Sequence, residues 1–155
     1  MAKEVLKKPV ITIDGTDLTN RISQVTIDLP DDEVDVTAFG SDFKETEMGM
    51  RDASMGFNVF QDFSASMVDA TLWPLKNESK KFITSVQARQ GEVSATNPVY
   101  VMAGKLFNYN PLSGSVGEAS TTEPTIKNIT DLGVIRCTSA LEVEEAEEEL
   151  EEAIE

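Results

Sequence analysis

Gln24-Val25-Thr26-Ile27-Asp28-Leu29, then Pro30-Asp31-Asp32, then Glu33-Val34-Asp35-Val36-Thr37: this stretch decides the fold class. Val25, Ile27 and Leu29 alternate with Gln24, Thr26 and Asp28, so an extended strand here has one dry face and one wet face. Pro30-Asp31-Asp32 reads as a break. Beyond it, Val34 and Val36 alternate with Glu33, Asp35 and Thr37, a second strand of the same kind. The period of two continues in both directions. Upstream, Val10, Ile11 and Ile13 run into the turn Asp14-Gly15. Downstream, Met55, Phe57 and Val59 alternate, and Val86 and Ala88 face away from Gln87 and Arg89. Val99–Tyr109 is the longest strand, with Gly104 marking a bulge or a close backbone approach. Thr121–Thr130 and Val134–Thr138 close the series.

One segment has a different period. Ala65, Val68, Leu72 and Leu75 recur at three, four and three residues, a helix face. The spacing predicts a helix over Ser64–Trp73, capped by Ser64, with Ser66 and Asp69 at capping-box spacing and Pro74 as the stop. One helix among seven or eight strands makes the chain mainly β: a sandwich or barrel with one flanking helix.

The chain has 155 residues, 28 acids, 13 bases, no histidine and one cysteine, for a net charge of -15. That length suits one domain with an appendage and a core that needs no staples. Without histidine, Ser-His-Asp and Cys-His mechanisms are excluded, and a single cysteine gives neither an internal disulfide nor a zinc cluster. Val10-Ile11-Thr12-Ile13 falls far short of a membrane span, and Met1–Pro9, with Lys3, Lys7 and Lys8, leads into no apolar signal segment. A chain made and kept in the cytoplasm is the expectation. The lysine pairs Lys7-Lys8 and Lys80-Lys81 are too scattered to grip nucleic acid.

The charge divides the chain in two. Leu141–Glu155 holds nine Glu and no base, which leaves 19 acids and 13 bases in residues 1–140. The domain is therefore placed at 1–140 and an acidic tail at 141–155. Like charges repel, so a solvated tail is expected. Leu141, Val143, Ala146, Leu150, Ala153 and Ile154 keep open the alternative of an amphipathic helix that folds on a partner.

Between the strands ending near Thr37 and starting near Ser54 lies a long insertion, Ala38–Ala53. Loops of that length are usually functional or disordered. Phe39, Phe43, Met48 and Met50 have little use in a solvated loop; they suit an interface, or they fold back onto their own core. Other signals are bland. Asp31-Asp32-Glu33 lacks calcium-loop spacing, and Ser113–Gly117 lacks a phosphate-loop lysine. Asn77-Glu78-Ser79 and Asn128-Ile129-Thr130 are chance acceptor sequences. Cys137 and Trp73 read as core.

The ordered series Asp35–Gly40, Phe43-Lys44 and Gly49–Ser54 resembles the strand–loop–strand of long-tailed phage tail tube proteins. So do Gln61-Asp62-Phe63, Asp69–Leu75, Ser94–Pro98 and Pro111–Gly117. The resemblance covers about residues 10–138 and leaves out the acidic tail. It implies six copies in a ring, stacked rings around a tape-measure protein, tail terminator and baseplate proteins at the ends, and genomic DNA passing through the bore without specific binding. It also implies assembly in the host cytoplasm into a virion tail, with no cofactor, metal or membrane. The insertion becomes the inter-ring contact, carried by Phe39, Gly40, Phe43, Met48, Met50 and Arg51. Asp28, Glu33 and Asp35 are the candidate bore-lining acids, since carboxylates repel phosphate. A minor tail or tail-completion protein of the same fold, or a β-sandwich module binding protein or glycan, are the alternatives. No nucleophile–base pair supports an enzyme.

Overall fold

The computed structural model describes every residue except Met1, Ala2, Glu4 and Lys7, so the Lys7-Lys8 pair lies partly outside the described residues. In chain order the strands are β1 (Val10–Ile13), β2 (Thr16–Asp17), β3 (Ile22–Asp28), β4 (Asp31–Asp35), β5 (Thr46–Arg51), β6 (Ser54–Phe60), β7 (Phe82–Gln87), β8 (Val99–Asn108), β9 (Thr121–Thr122), β10 (Thr125–Asn128) and β11 (Val134–Cys137). The helices are α1 (Val68–Asn77) and α2 (Ala140–Ile154), with a 3₁₀ turn at Thr19–Arg21. Nine strands form one antiparallel sheet in the order β2-β1-β7-β8-β10-β6-β3, with β11 beside β8 and β9 beside β6. The sheet curls into a half-barrel, mainly β as the alternation predicts. β4 and β5 pair only with each other.

β8 explains the layering. Met102 and Leu106 enter the main core with α1, while Val99, Val101 and Ala103 enter a second cluster on the opposite face. Both faces of this strand are covered, which is why its sequence reads as a near-continuous apolar run. Gly104 marks a close approach: a Cβ there would lie 2.5 Å from the Lys127 carbonyl oxygen and 2.8 Å from Ile126 Cγ2.

The helix falls four residues later than the sequence suggests. Val68, Leu72 and Leu75 form the buried stripe, but Ala65 is exposed and outside the helix. Ser66 sits at φ +62°, a left-handed conformation that a helix cannot continue through, so α1 starts after it. The Ser64 N–H instead donates to Asp62 Oδ1 at 2.9 Å. Pro74 lies inside α1 rather than ending it. Its ring removes one backbone bond, yet Leu75 beyond it is almost fully buried and holds the last turn on the core. The end of β8 is tied to α1 by Tyr109, whose hydroxyl donates to Asp69 Oδ1 at 2.7 Å and accepts from Gln61 Nε2 at 3.0 Å. Burial first, and Asp69 with it, push this phenol up to about 12.

Asp62 joins the start of α1 to the 3₁₀ turn through Arg21, at 2.8 Å. The Ser64 backbone and hydroxyl, then Arg21, hold the Asp62 carboxyl down to about 2. A carboxyl with a lowered pKa stabilises the fold above about pH 4 and loses that contribution as pH falls toward 2. Thermal midpoints measured between pH 5 and pH 2 should therefore fall less steeply in Asp62→Asn than in the wild type; parallel curves would contradict the assignment.

The acidic segment is a helix docked on its own sheet, not a solvated tail. Ala146 and Leu150 are buried against Val99, Val101, Ala103 and Cys137, with Val143 and Ile154 at the margins. Ser139 Oγ accepts the Glu142 N–H at 3.2 Å, and Glu142 Oε2 accepts the Thr138 N–H at 2.8 Å. This reciprocal cap starts the helix where charge alone would oppose it. Cys137 lies fully buried in this cluster, and burial first, then Glu142 and Glu147, raises its thiol pKa. Leu150→Ala should cost about 2–5 kcal/mol and speed reaction of Cys137 with a thiol reagent more than tenfold. An unchanged rate would mean that α2 does not protect it.

Candidate self-association surface

The insertion is half strand and half loop. β4 and β5 make a hairpin, extended by the Val36 N–H to the Glu45 carbonyl at 2.9 Å and the Glu45 N–H to Thr37 Oγ1 at 2.8 Å. Asp31 and Asp32, read from sequence as part of a break, lie within β4. The break is confined to Leu29-Pro30. Every residue of β4 is exposed, so the dry face expected for Val34 and Val36 meets no core of its own. The register pairs Glu33 with Met48, Asp35 with Thr46 and Asp31 with Arg51, with a bulge between. Asp31, Glu33, Asp35, Met48 and Arg51 thus share one hairpin face, and Val34 and Val36 take the other. Gly49 is needed on that second face, because a Cβ there would lie 2.9 Å from Val34 Cγ2.

The six residues singled out for this segment fall in two places. Phe39, Gly40 and Phe43 are at the tip, where Gly40 adopts φ +93°. Met48, Met50 and Arg51 are on β5, and the Arg51 guanidinium lies 3.8 Å from Asp31. Phe39 and Phe43 are 110% and 85% exposed, and Met48 and Met50 are 69% and 78% exposed. None of the four folds back onto the core. At the hairpin base a groove of about 580 Å³ lies between Leu29, Met50 and Arg51 on one side and Leu132 and Val134 on the other.

Of the three candidate acids, Glu33 and Asp35 share the hairpin face. Asp28 stands on β3 of the main sheet, directly opposite Ser54. The Asp35 carboxyl is held below its ordinary range by the Thr37 hydroxyl and N–H, the latter at 2.9 Å.

β3 supplies a feature that the sequence reading passed over. No strand lies on its outer side among the described residues. The Phe57 N–H is spent on the Pro124 carbonyl, away from β3. Val25, opposite Phe57, therefore turns its N–H and C=O to the open side, as does Ile27. The edge lacks Lys and Pro, the residues that usually blunt such edges. Alternation reveals which face of a strand is buried; it carries no information on which strand ends the sheet.

No protein-family model matches the sequence, and no curated protein does. Solved structures do match the fold. A chain from the virion of a native gene transfer agent particle superposes with a TM-score of 0.67 at 15% identity, covering 86% of this chain and 99% of that one. A chain from the tail of an empty gene transfer agent particle, refined helically with C6 symmetry, does so with a TM-score of 0.67 at 16% identity, covering 89% and 100%. The fold is thus one that occurs in the tails of phage-like particles, in line with the resemblance read from the residues.

Proposed function

We propose that this chain is the structural subunit of a phage-type tail tube. Six copies close into a ring, with the open β3 edge pairing to a neighbour, and rings stack through the β4–β5 hairpin. The ring closes by rotation; stacking does not close, so it builds a filament. Phe39, Gly40 and Phe43 reach to the next ring, and Met48, Met50 and Arg51 line the contact nearer the base. The observation that carries the reading is a hairpin that stands free of the core with Phe39, Phe43, Met48 and Met50 exposed, in a fold shared with a chain of a C6-symmetric tail. An exposed apolar hairpin of this size is a docking element or an aggregation hazard.

The tube houses a tape-measure protein, ends on terminator and baseplate proteins, and passes DNA. Glu33 and Asp35 face the bore and keep phosphate from sticking, whereas Asp28, in line with Ser54 and Lys127 across the sheet, lies on the side turned to the neighbouring copy. Assembly takes place in the host cytoplasm and the product is a virion tail. The role is structural, without catalysis, cofactor or metal.

Sedimentation of the full chain beside the double variant Phe39→Ser/Phe43→Ser tests this. Six copies of 16.9 kDa give a ring of about 101 kDa. The wild type should form rings and longer species, and the variant should stop at rings. A variant that polymerises like the wild type would remove the tip from the interface. A wild type that associates only with a glycan or another protein would favour a binding module.

A further inference from the structure

The sheet face turned away from the main core carries a row of lysines. Lys105 of β8 stands directly opposite Lys127 of β10. Both alternate with core residues, Leu106 and Ile126, so both point away from the main core. Lys81 precedes Phe82, which pairs with Gly104, and so continues the row beside β7. Like charges set directly opposite each other destabilise a sheet. The ion pairs at Arg21, Arg51 and Lys80 involve none of these three. Lys127 lies 5.9 Å over the ring of Phe107, which is 53% exposed. The strip is basic with an apolar edge.

α2 has the complementary surplus. Glu145, Glu148, Glu149 and Glu152 are exposed on it, and the helix holds no base. Glu145 and Glu149, and Glu148 and Glu152, are four residues apart and repel. Lys81 lines a groove with Glu147 and Glu151 of the same chain's α2, and the ion pairs at Arg21, Arg51 and Lys80 involve no glutamate of this helix. Directly opposite strand residues have Cβ atoms about 5 Å apart, and helix residues four apart about 5–6 Å. Each lysine of the Lys105–Lys127 pair can therefore meet one glutamate of an outer pair.

We propose that the outer glutamate face of α2 docks on the Lys105–Lys127–Phe107 strip of a second copy of this chain. The inference rests on the self-assembly reading and adds a lateral contact to it. The two patches differ, so the contact is head-to-tail and compatible with a ring. It also gives the acidic segment a role: the net charge of -15 stays tolerable because each copy lends its excess acid to its neighbour's lysines.

The test is charge reversal with complementation. Lys105→Glu/Lys127→Glu alone, and Glu145→Lys/Glu148→Lys/Glu149→Lys/Glu152→Lys alone, should each need at least tenfold more protein to associate than the wild type. An equimolar mixture should recover association, because reversed strip then meets reversed helix and native strip meets native helix. Circular dichroism checks folding, and Lys105→Gln/Lys127→Gln replaces the reversed pair if that fails to fold. Variants that associate like the wild type, or a mixture of folded variants that does not recover, overturn the proposal and leave the tube reading standing. A wild type that never associates overturns both. Faster thiol labelling of Cys137 in Lys105→Glu/Lys127→Glu would mean that the strip anchors its own helix. A short DNA duplex retained by the wild type and not by this variant would assign the strip to nucleic acid. Either result sinks the proposal.

Discussion

A chain in which Asp31–Arg51 is replaced by a short Gly-Ser turn should fold with a thermal midpoint within a few degrees of the wild type and form no tubes. The excision is geometrically mild. The Asp52 N–H already bonds to the Pro30 carbonyl at 2.9 Å, so the cut ends meet across an existing contact. No hairpin residue belongs to either core cluster. The one ion pair removed, Arg51 with Asp31, is long and largely exposed and contributes little. What disappears is the exposed apolar surface of Phe39, Phe43, Met48 and Met50, and with it the stacking contact. Electron microscopy of the variant beside the wild type checks this. Tubes formed without the hairpin would move the inter-ring contact elsewhere.

Gly104→Val should be the most damaging single substitution in the sheet. The position is crowded by the Lys127 backbone and by the fully buried Ile126, neither of which can swing aside. Even Gly104→Ala must push β8 and β10 apart, at a cost of about 1–3 kcal/mol for overpacking. The branched side chain adds two further carbons, so a cost of more than 3 kcal/mol is expected, against a total stability of about 5–15 kcal/mol. Urea unfolding of the three proteins measures it. A loss under about 1 kcal/mol for valine would show that the strands separate freely there.

These two sites show what the residues disclosed and what they withheld. Gly104 interrupts an apolar run, and a glycine in a strand interior has few causes; its close approach was legible. So were the strand faces around Val25 and Met55, and the buried stripe of α1. The ends of α1 were not. Ser66 takes a left-handed conformation that its residue type does not announce, and Pro74 is tolerated because Leu75 is buried beyond it. The hairpin hid behind its own pattern. Alternation at Val34 and Val36 means that two faces differ; it does not say that the apolar face meets this chain's core. The acidic helix was misjudged because nine glutamates outweighed a local signal that was present. Ser139-Ala140-Leu141-Glu142 has capping-box spacing, and Val143, Ala146 and Leu150 follow at helical intervals. The open edge of β3 and the Lys105–Lys127 pair could not be read at all, since both depend on which strands become neighbours.

Above all, this chain is expected to build a hollow tube from itself. Negative-stain electron microscopy of the purified full chain, over a concentration series, tests it most directly. Sixfold rings and hollow filaments of uniform width, lengthening with concentration, are expected. Solid or irregular aggregates, or a 16.9 kDa monomer at every concentration, would contradict it.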